Sequence, residues 1–256
     1  MPTSKPSLRL ASYNLHKCRG MTGPHAPERN LKVISDMGAD VIALQEVDFR
    51  LGSRPEALPR GLIEAATGMV PATFLGTGEN SLGWHGQTIL MRPGLMAQAQ
   101  VRRLPLPGIE PRGALALRLP GLTVVAVHLG LIRSSRRAQL ERIVAQAARI
   151  GDGRLVLTGD FNEWHDNRGL EPLEPMQVIA PGPSWPAPFP RLRYDRIAVS
   201  HGIRVLDCGV WDSQIARQAS DHLPIWADLA LNAHPPAGQE DPGNGRAEGD
   251  VTDNIE

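Results

Sequence analysis

Four apolar runs, each closed by a polar side chain, constrain this chain of 256 residues more than anything else in it. "LRLASYN" (8–14) ends in Asn14, "DVIALQE" (40–46) in Glu46, "LTVVAVH" (122–128) in His128 and "RLVLTGD" (154–160) in Asp160. Short runs rich in Leu, Val and Ile are strands of a sheet interior. The residues that close them can each bind a metal or move a proton. In parallel sheets ligands collect at the carboxyl ends of the strands, so the four endings belong on one rim. Two further runs are mirror images: "YDRIAVS" starts beside Asp195, and "SDHLPIWADL" starts with Asp221 and His222. Strands running antiparallel to the others deliver their first residues to that same rim.

Other strand-like runs lie near 69–75, 86–92, 97–104, 113–119, 193–199, 203–211 and 223–231. A helix starts near Pro27, a residue favoured at the first helical position. A second, over 55–68, is weakened by Pro59. The clearest helix is 134–151, where Leu140, Ile143, Val144 and Ala147 share a face, Ser134 or Ser135 can cap the start and Gly151 ends it. Many strands and few helices, in mixed order, give an α/β (α+β) fold of two packed sheets with helices outside. One domain is expected over residues 1–231. The remainder, 232–256, has almost no apolar content and reads as a disordered acidic tail.

That tail carries six acids and one base, which leaves the body 26 basic against 21 acidic residues, about +5. Such a charge suits an anionic substrate and falls short of a dedicated nucleic-acid wrapper. The opening "MPTSKPS" lacks signal-peptide character, and no apolar run approaches the roughly 20 residues of a membrane span. Cys18 and Cys208 fit neither a metal site nor a disulfide scaffold, so free thiols and a cytoplasmic, monomeric protein without stable membrane insertion are expected.

Each rim residue alone has an ordinary explanation as a turn former, cap or core histidine; their joint recurrence at run boundaries does not. Glu46, Asp160, Asp221 and the amides of Asn14 and Asn162 are hard oxygen donors suited to Mg²⁺ or Mn²⁺. Asp195 behind His222 makes a carboxylate–imidazole pair. No HExxH, G-x-S-x-G or P-loop pattern is present. The set suits metal-assisted hydrolysis of a phosphoester.

The series "SYNLHK", "ALQEVD", "GQTILMR", "VVAVHLGL", "LTGDFNEW", "YDRIAVS" and "SDHLPI" resembles, in order, the motifs of the endonuclease/exonuclease/phosphatase superfamily with the DNase I-like fold, from about residue 8 to 231. The resemblance implies a four-layer sandwich and divalent-metal hydrolysis of phosphodiesters or phosphomonoesters. It implies Glu46 as metal ligand with Asn14 and Asp221 close by, and Asp160 orienting the attacking water or helping with a second metal. It further implies Asn162 on the scissile phosphate, with His222, held by Asp195, and His128 stabilising or protonating there. Gln87 stands where the family commonly has Asn, which displaces any contact made from that position. His85 is a further candidate phosphate ligand. Trp185 and Phe189, in "SWPAPFP", are placed to stack a base or lipid head group or to pack on the core. A phosphodiesterase or nuclease is the leading expectation, with nucleic acid among the candidate substrates. A phosphatase, a phospholipid or sugar phosphodiesterase, and a non-catalytic nucleic-acid binder stay open.

Overall fold

The computed structural model describes residues 7–231 apart from Leu75, Gly151, Asp152 and Asn167. The expected tail, 232–256, and the proposed helix end at Gly151 lie outside the described residues. The first sheet is ordered β11-β12-β1-β2-β4-β3 and the second β5-β6-β7-β8-β10-β9. Their strands are β1 (Ser7–Asn14), β2 (Val41–Gln45), β3 (Val70–Pro71), β4 (Gln87–Met91), β5 (Gln100–Pro105), β6 (Gly113–Leu119), β7 (Leu122–His128), β8 (Leu155–Asp160), β9 (Gln177–Ile179), β10 (Asp195–Val199), β11 (Ile203–Val210) and β12 (Ile225–Leu231).

At the centre of each sheet lies one parallel pair joined through a helix. β1 and β2 are linked by α1 (Pro27–Met37), and β7 and β8 by α3 (Arg133–Ile150). Antiparallel neighbours flank both pairs: β12 and β4 in the first sheet, β6 and β10 in the second. Central strands are buried on both faces, which is why they read as nearly continuous apolar runs. Leu10, Val41, Ala43 and Ile89 of the first sheet meet Leu115, Leu117, Val124 and Val156 of the second. Their alternate residues face outward: Tyr13, Ile42 and Leu44 pack on Leu31 and Ile34 of α1, while Val125, Val127 and Leu157 pack on Leu140 and Ile143 of α3. The result is the four-layer sandwich expected from the sequence.

Several boundaries differ from expectation. The helix expected over 55–68 is α2 (Arg60–Thr67), because Pro59 takes the cap position and Gly68, at φ 67°, ends it. The strand expected over 69–75 shrinks to two residues, and 97–104 begins later, after a 3-10 segment at Pro93–Gln98. Ser134 and Ser135 lie inside the first turn of α3 rather than at its cap. β9, the 3-10 turns at His16–Cys18 and Glu171–Leu173, and α4 (Ala216–Ala219) carry too few residues for a readable period.

Candidate active site

The registers bring the run endings together. Asn14 ends β1 beside Gln45, His128 pairs with Asp160 across the parallel β7–β8 ladder, and Asp195 pairs with Asp160 across the antiparallel β8–β10 ladder. The mirror-image strands thus deliver their first residues where the others end. Gly159, at φ 151°, makes the close approach possible: a Cβ there would lie 1.9 Å from the Val127 carbonyl oxygen. That answers why a glycine precedes the aspartate in "LTGDFNEW".

Asp160 is the hub. Its Oδ2 accepts a hydrogen bond from Asn14 Nδ2 at 3.1 Å and lies 3.6 Å from His128 Nε2 and 3.7 Å from His222 Nε2. Oδ1 accepts the Asn162 backbone N–H at 2.8 Å. Asn162, in a left-handed conformation at φ 52°, donates its side-chain amide to the Leu129 carbonyl at 2.9 Å. His222 Nδ1 faces Asp195 Oδ2 at 2.8 Å, and the Ser184 hydroxyl donates to that same oxygen at 2.5 Å. The other ring nitrogen of His222 is therefore the one left toward Asp160.

This neighbourhood is almost dry: Asp195 is 1% exposed, Asp160 2%, His128 4% and His222 6%. Burial lowers the pKa of His222, but Asp195 and Asp160 beside it outweigh that and hold it well above the usual imidazole range. For His128 burial, aided by Arg112, wins and drives the pKa well down. Burial pushes the Asp160 carboxyl up, against the pull of His222. The two imidazoles beside one carboxylate are thus pushed in opposite directions, His222 up and His128 down.

Glu46 follows β2 at φ 54°, and its carboxylate is ion-paired with Lys17 and with Arg50 Nη2 at 2.9 Å. Burial alone would raise its pKa, but His128, Lys17 and Arg50 bring it down to about 2. Asp221 stands on the Asn14 side, 3.8 Å from His16 Nδ1 and accepting from Trp185 Nε1 at 3.4 Å. His16, Lys17 and Cys18 all take positive φ (45°, 58° and 56°), a tight left-handed turn after Asn14 that points the chain back across the rim.

Among the described residues no three or more His, Cys, Asp or Glu side chains form a cluster that could hold a metal. What is present is the carboxylates of Glu46 and Asp221 with the amide oxygen of Asn14 on the same rim. That sparse oxygen set fits a hard divalent ion that keeps most of its water and takes further oxygens from substrate; it does not fit zinc. Asn14 Oδ1 already accepts the His16 backbone N–H at 3.0 Å, and Lys17 and Arg50 hold the Glu46 oxygens. A bound cation would replace one of the latter contacts.

Gln87, expected to displace any contact made from its position, carries its amide across to the other sheet. It is wholly buried, and its amide donates to the Gly113 carbonyl of the other sheet. The extra methylene lets it tie the two sheets together. Trp185 is half-buried and Phe189 is exposed. Sequence reading missed Ser184, which sits in a Pro-rich loop with no periodic signal, and Tyr194, whose ring lies 5.5 Å from that of Trp185 and 6.3 Å from that of His222. Lys17 was legible only as part of "SYNLHK"; its neighbour Glu46 is 29 positions away.

Solved structures share this architecture. The endonuclease/exonuclease/phosphatase from Beutenbergia cavernae superposes with a TM-score of 0.65 at 23% identity, over 90% of this chain and 73% of that one. A mannosyl-6-phosphatase from Bacteroides thetaiotaomicron gives 0.64 at 18% identity, over 88% and 100%. TDP2 from D. rerio, complexed with single strand DNA product, gives 0.61 at 15%, over 88% and 99%. At these identities the likeness carries the fold. No curated protein matches the sequence. The sequence profile of the Endonuclease/Exonuclease/phosphatase family, a family of phosphoester hydrolases, matches residues 11–222, and the chain belongs to that family.

Proposed function

We propose that this protein is a divalent-metal-dependent phosphoester hydrolase of the phosphodiesterase or nuclease type. The observation that carries the reading is the convergence of His128 Nε2 and His222 Nε2 on one oxygen of Asp160, with Asp195 locking the far side of His222. Structural relatives include an enzyme named for a sugar phosphate and one bound to single-stranded DNA, so phosphate esters of both kinds are within reach of this architecture.

Glu46, Asn14 and Asp221 would hold Mg²⁺ or Mn²⁺, with Asp160 near. When bound, such an ion polarises phosphoryl oxygens and steadies a leaving oxygen. Asp160, raised toward neutrality by burial, takes a proton from the attacking water. His222, held as imidazolium by two carboxylates, neutralises charge that develops on the phosphate and supplies a proton. Asp195 fixes the His222 ring through Nδ1. His128, kept neutral, donates a hydrogen bond to a phosphoryl oxygen without adding charge. Asn162 has one amide N–H bonded to Leu129 and a second available for substrate.

A ring-bearing ester group is favoured by the aromatic side chains beside His222. Tyr194 lies 6.1 Å from Trp164, which is 51% exposed, and 5.5 Å from Trp185. Such faces stack nucleobases without sequence preference. We further read the protein as cytoplasmic, because both of its cysteines are free thiols.

The deciding experiment is turnover with Mg²⁺ and with Mn²⁺ on plasmid DNA, abasic DNA, RNA, phosphatidyl diesters and bis-p-nitrophenyl phosphate. Metal-stimulated cleavage of a nucleic acid or of the synthetic diester is expected. No cleavage of any member with either ion would refute the reading.

A further inference from the structure

Large apolar side chains scattered singly over a surface are ordinary, whereas a concentration of them marks an interaction site. Apart from Leu62, Met96 and Leu206, those exposed among the described residues all stand on loops that open at the catalytic rim. Met21 lies between β1 and α1, and Leu51, 85% exposed, follows β2. Ile109, 87% exposed, lies between β5 and β6, and β6 starts beside the end of β7. Leu131 and Ile132 follow β7, Trp164 follows β8, and Phe189, 74% exposed, precedes β10. Both sheets contribute, so the apolar tips fringe the cleft that holds Glu46, His128, Asp160 and His222.

The loops are tied to one another, which holds the tips in place. The Leu131 N–H bonds Glu110, next to Ile109, at 2.7 Å, and Arg133 and Arg136 bond Glu163, next to Trp164, at 3.0 and 2.6 Å. Trp164 packs near Tyr194 and Tyr194 near Trp185, whose carbonyl accepts the Arg191 N–H at 2.9 Å, two residues past Phe189. Met21 shares a hollow with Pro188. An exposed arginine stands within two positions of four of the tips: Arg19 by Met21, Arg50 by Leu51, Arg133 by Ile132 and Arg191 by Phe189. Arg50 and Arg133 hold Glu46 and Glu163 and keep further N–H groups for other partners.

Leu and Ile offer no ring face to stack a base and no charge for its phosphate, so nucleic acid does not match these tips. A phospholipid bilayer does. Apolar tips seat at the boundary between head groups and acyl chains, Trp and Phe favour that depth, and arginines beside them meet lipid phosphates. The body, with 26 basic and 21 acidic residues, suits an anionic leaflet. We propose that the rim is a membrane-docking face: the tips seat reversibly on a phospholipid bilayer, and the cleft opens onto the head groups. The substrate class is then a phosphodiester carried by a membrane lipid. Docking stands on the apolar tips alone, while the substrate class rests on the phosphoester-hydrolase reading.

Docking is measured by co-sedimentation of the full chain, in EDTA, with vesicles of phosphatidylcholine and of phosphatidylcholine mixed with phosphatidylglycerol. Binding to both is expected, tighter on the anionic vesicles at low salt. Phe189→Ser and Leu131→Ser should each weaken binding to the neutral vesicles about tenfold, the worth of one buried apolar side chain. The double variant should lose about a hundredfold, because tips on separate loops act independently. Leu206→Ser, on β11 and away from the rim, should bind as the wild type does, with folding of each variant checked by circular dichroism. Binding confined to anionic vesicles and unaltered in Phe189→Ser is adsorption of a basic body, and it overturns the docking face. No binding to either vesicle also overturns it and leaves the tips to a protein partner. With Mg²⁺, cleavage of a short-chain phosphatidyl diester should rise severalfold once it assembles into micelles, and Phe189→Ser should lose that rise while it still cleaves the monomer. Cleavage without the rise overturns the substrate class. Vesicle binding with no cleavage of any ester supports the docking face although the hydrolase reading has failed.

Discussion

At the rim of the first sheet Glu46 is met by two cations, Lys17 and Arg50, whereas at the rim of the second Asp160 is met by two imidazoles and an amide. The difference goes beyond hydrogen bonding. Burial raises the Glu46 carboxyl, but His128 together with the permanent charges of Lys17 and Arg50 outweighs it and brings the pKa down to about 2. Asp160 has partners whose charge is itself adjustable, so burial wins and its proton is held more tightly. Asp48, two residues after Glu46, shows the same rule on the first rim: buried and bonded only to backbone N–H groups, it rises to about 6. Permanent counter-charge favours the ionised carboxylate, and burial without it favours the protonated one.

The largest effect expected from this contrast is on metal dependence. EDTA should abolish turnover, and Glu46→Gln should remove the stimulation by Mg²⁺ while the circular dichroism spectrum stays unchanged. An ion worth several kcal/mol in the transition state implies a loss on the order of 10³-fold or more. A Glu46→Gln protein that binds Mg²⁺ and turns over normally would erase the distinction between the two rims.

On the second rim, His222→Ala should cost roughly 10²–10⁴-fold in turnover, the usual worth of a placed acid or base. Asp195→Asn should cost a large part of that, and the double variant should be scarcely worse than His222→Ala alone, because the two residues act as one unit. Additive losses in activation free energy, measured on the best substrate for both single variants and the double, would separate the pair.

Asp48 sharpens the electrostatic half of the comparison. Its folded pKa of about 6 lies above the ordinary carboxylate value, so the folded protein binds a proton there before the unfolded chain does. That contribution favours folding increasingly as pH falls from about 7 toward 4. Chemical denaturation of the wild type and of Asp48→Asn across this range should show the wild type gaining relative to the variant, by on the order of 1–3 kcal/mol. Parallel pH profiles would mean that Asp48 is as solvated as a surface carboxylate.

The smallest effect is expected from deleting residues 232–256, a segment with almost no apolar side chain to bury. The melting temperature should hardly move. Binding of an anionic substrate should tighten at low salt, with the gain shrinking as salt rises. A large fall in melting temperature would show that the segment docks on the folded body.

Read from the sequence alone, the repeated ending of apolar runs in Asn14, Glu46, His128 and Asp160, with Asp195, Asp221 and His222 at the starts of others, determined the rim and the fold class. This was possible because strand length, burial and side-chain alternation are local properties of the backbone. Element ends were less legible where prolines or 3-10 turns compete with a helix or strand, as at Pro59 and Pro93. Contacts set by packing between distant segments were not legible at all. Asn14 reaches Asp160 across 146 positions, Ser184 bonds Asp195 from an irregular loop, and Lys17 meets Glu46 through three consecutive left-handed residues. Only the tertiary structure joined the Gln87 amide to the Gly113 carbonyl of the opposite sheet and left the buried His85 Nδ1 without a partner among the described residues. Whether a polar side chain is satisfied, and which way its pKa moves, depends on the atoms that the folded chain puts beside it, and no residue's own neighbours in sequence specify those.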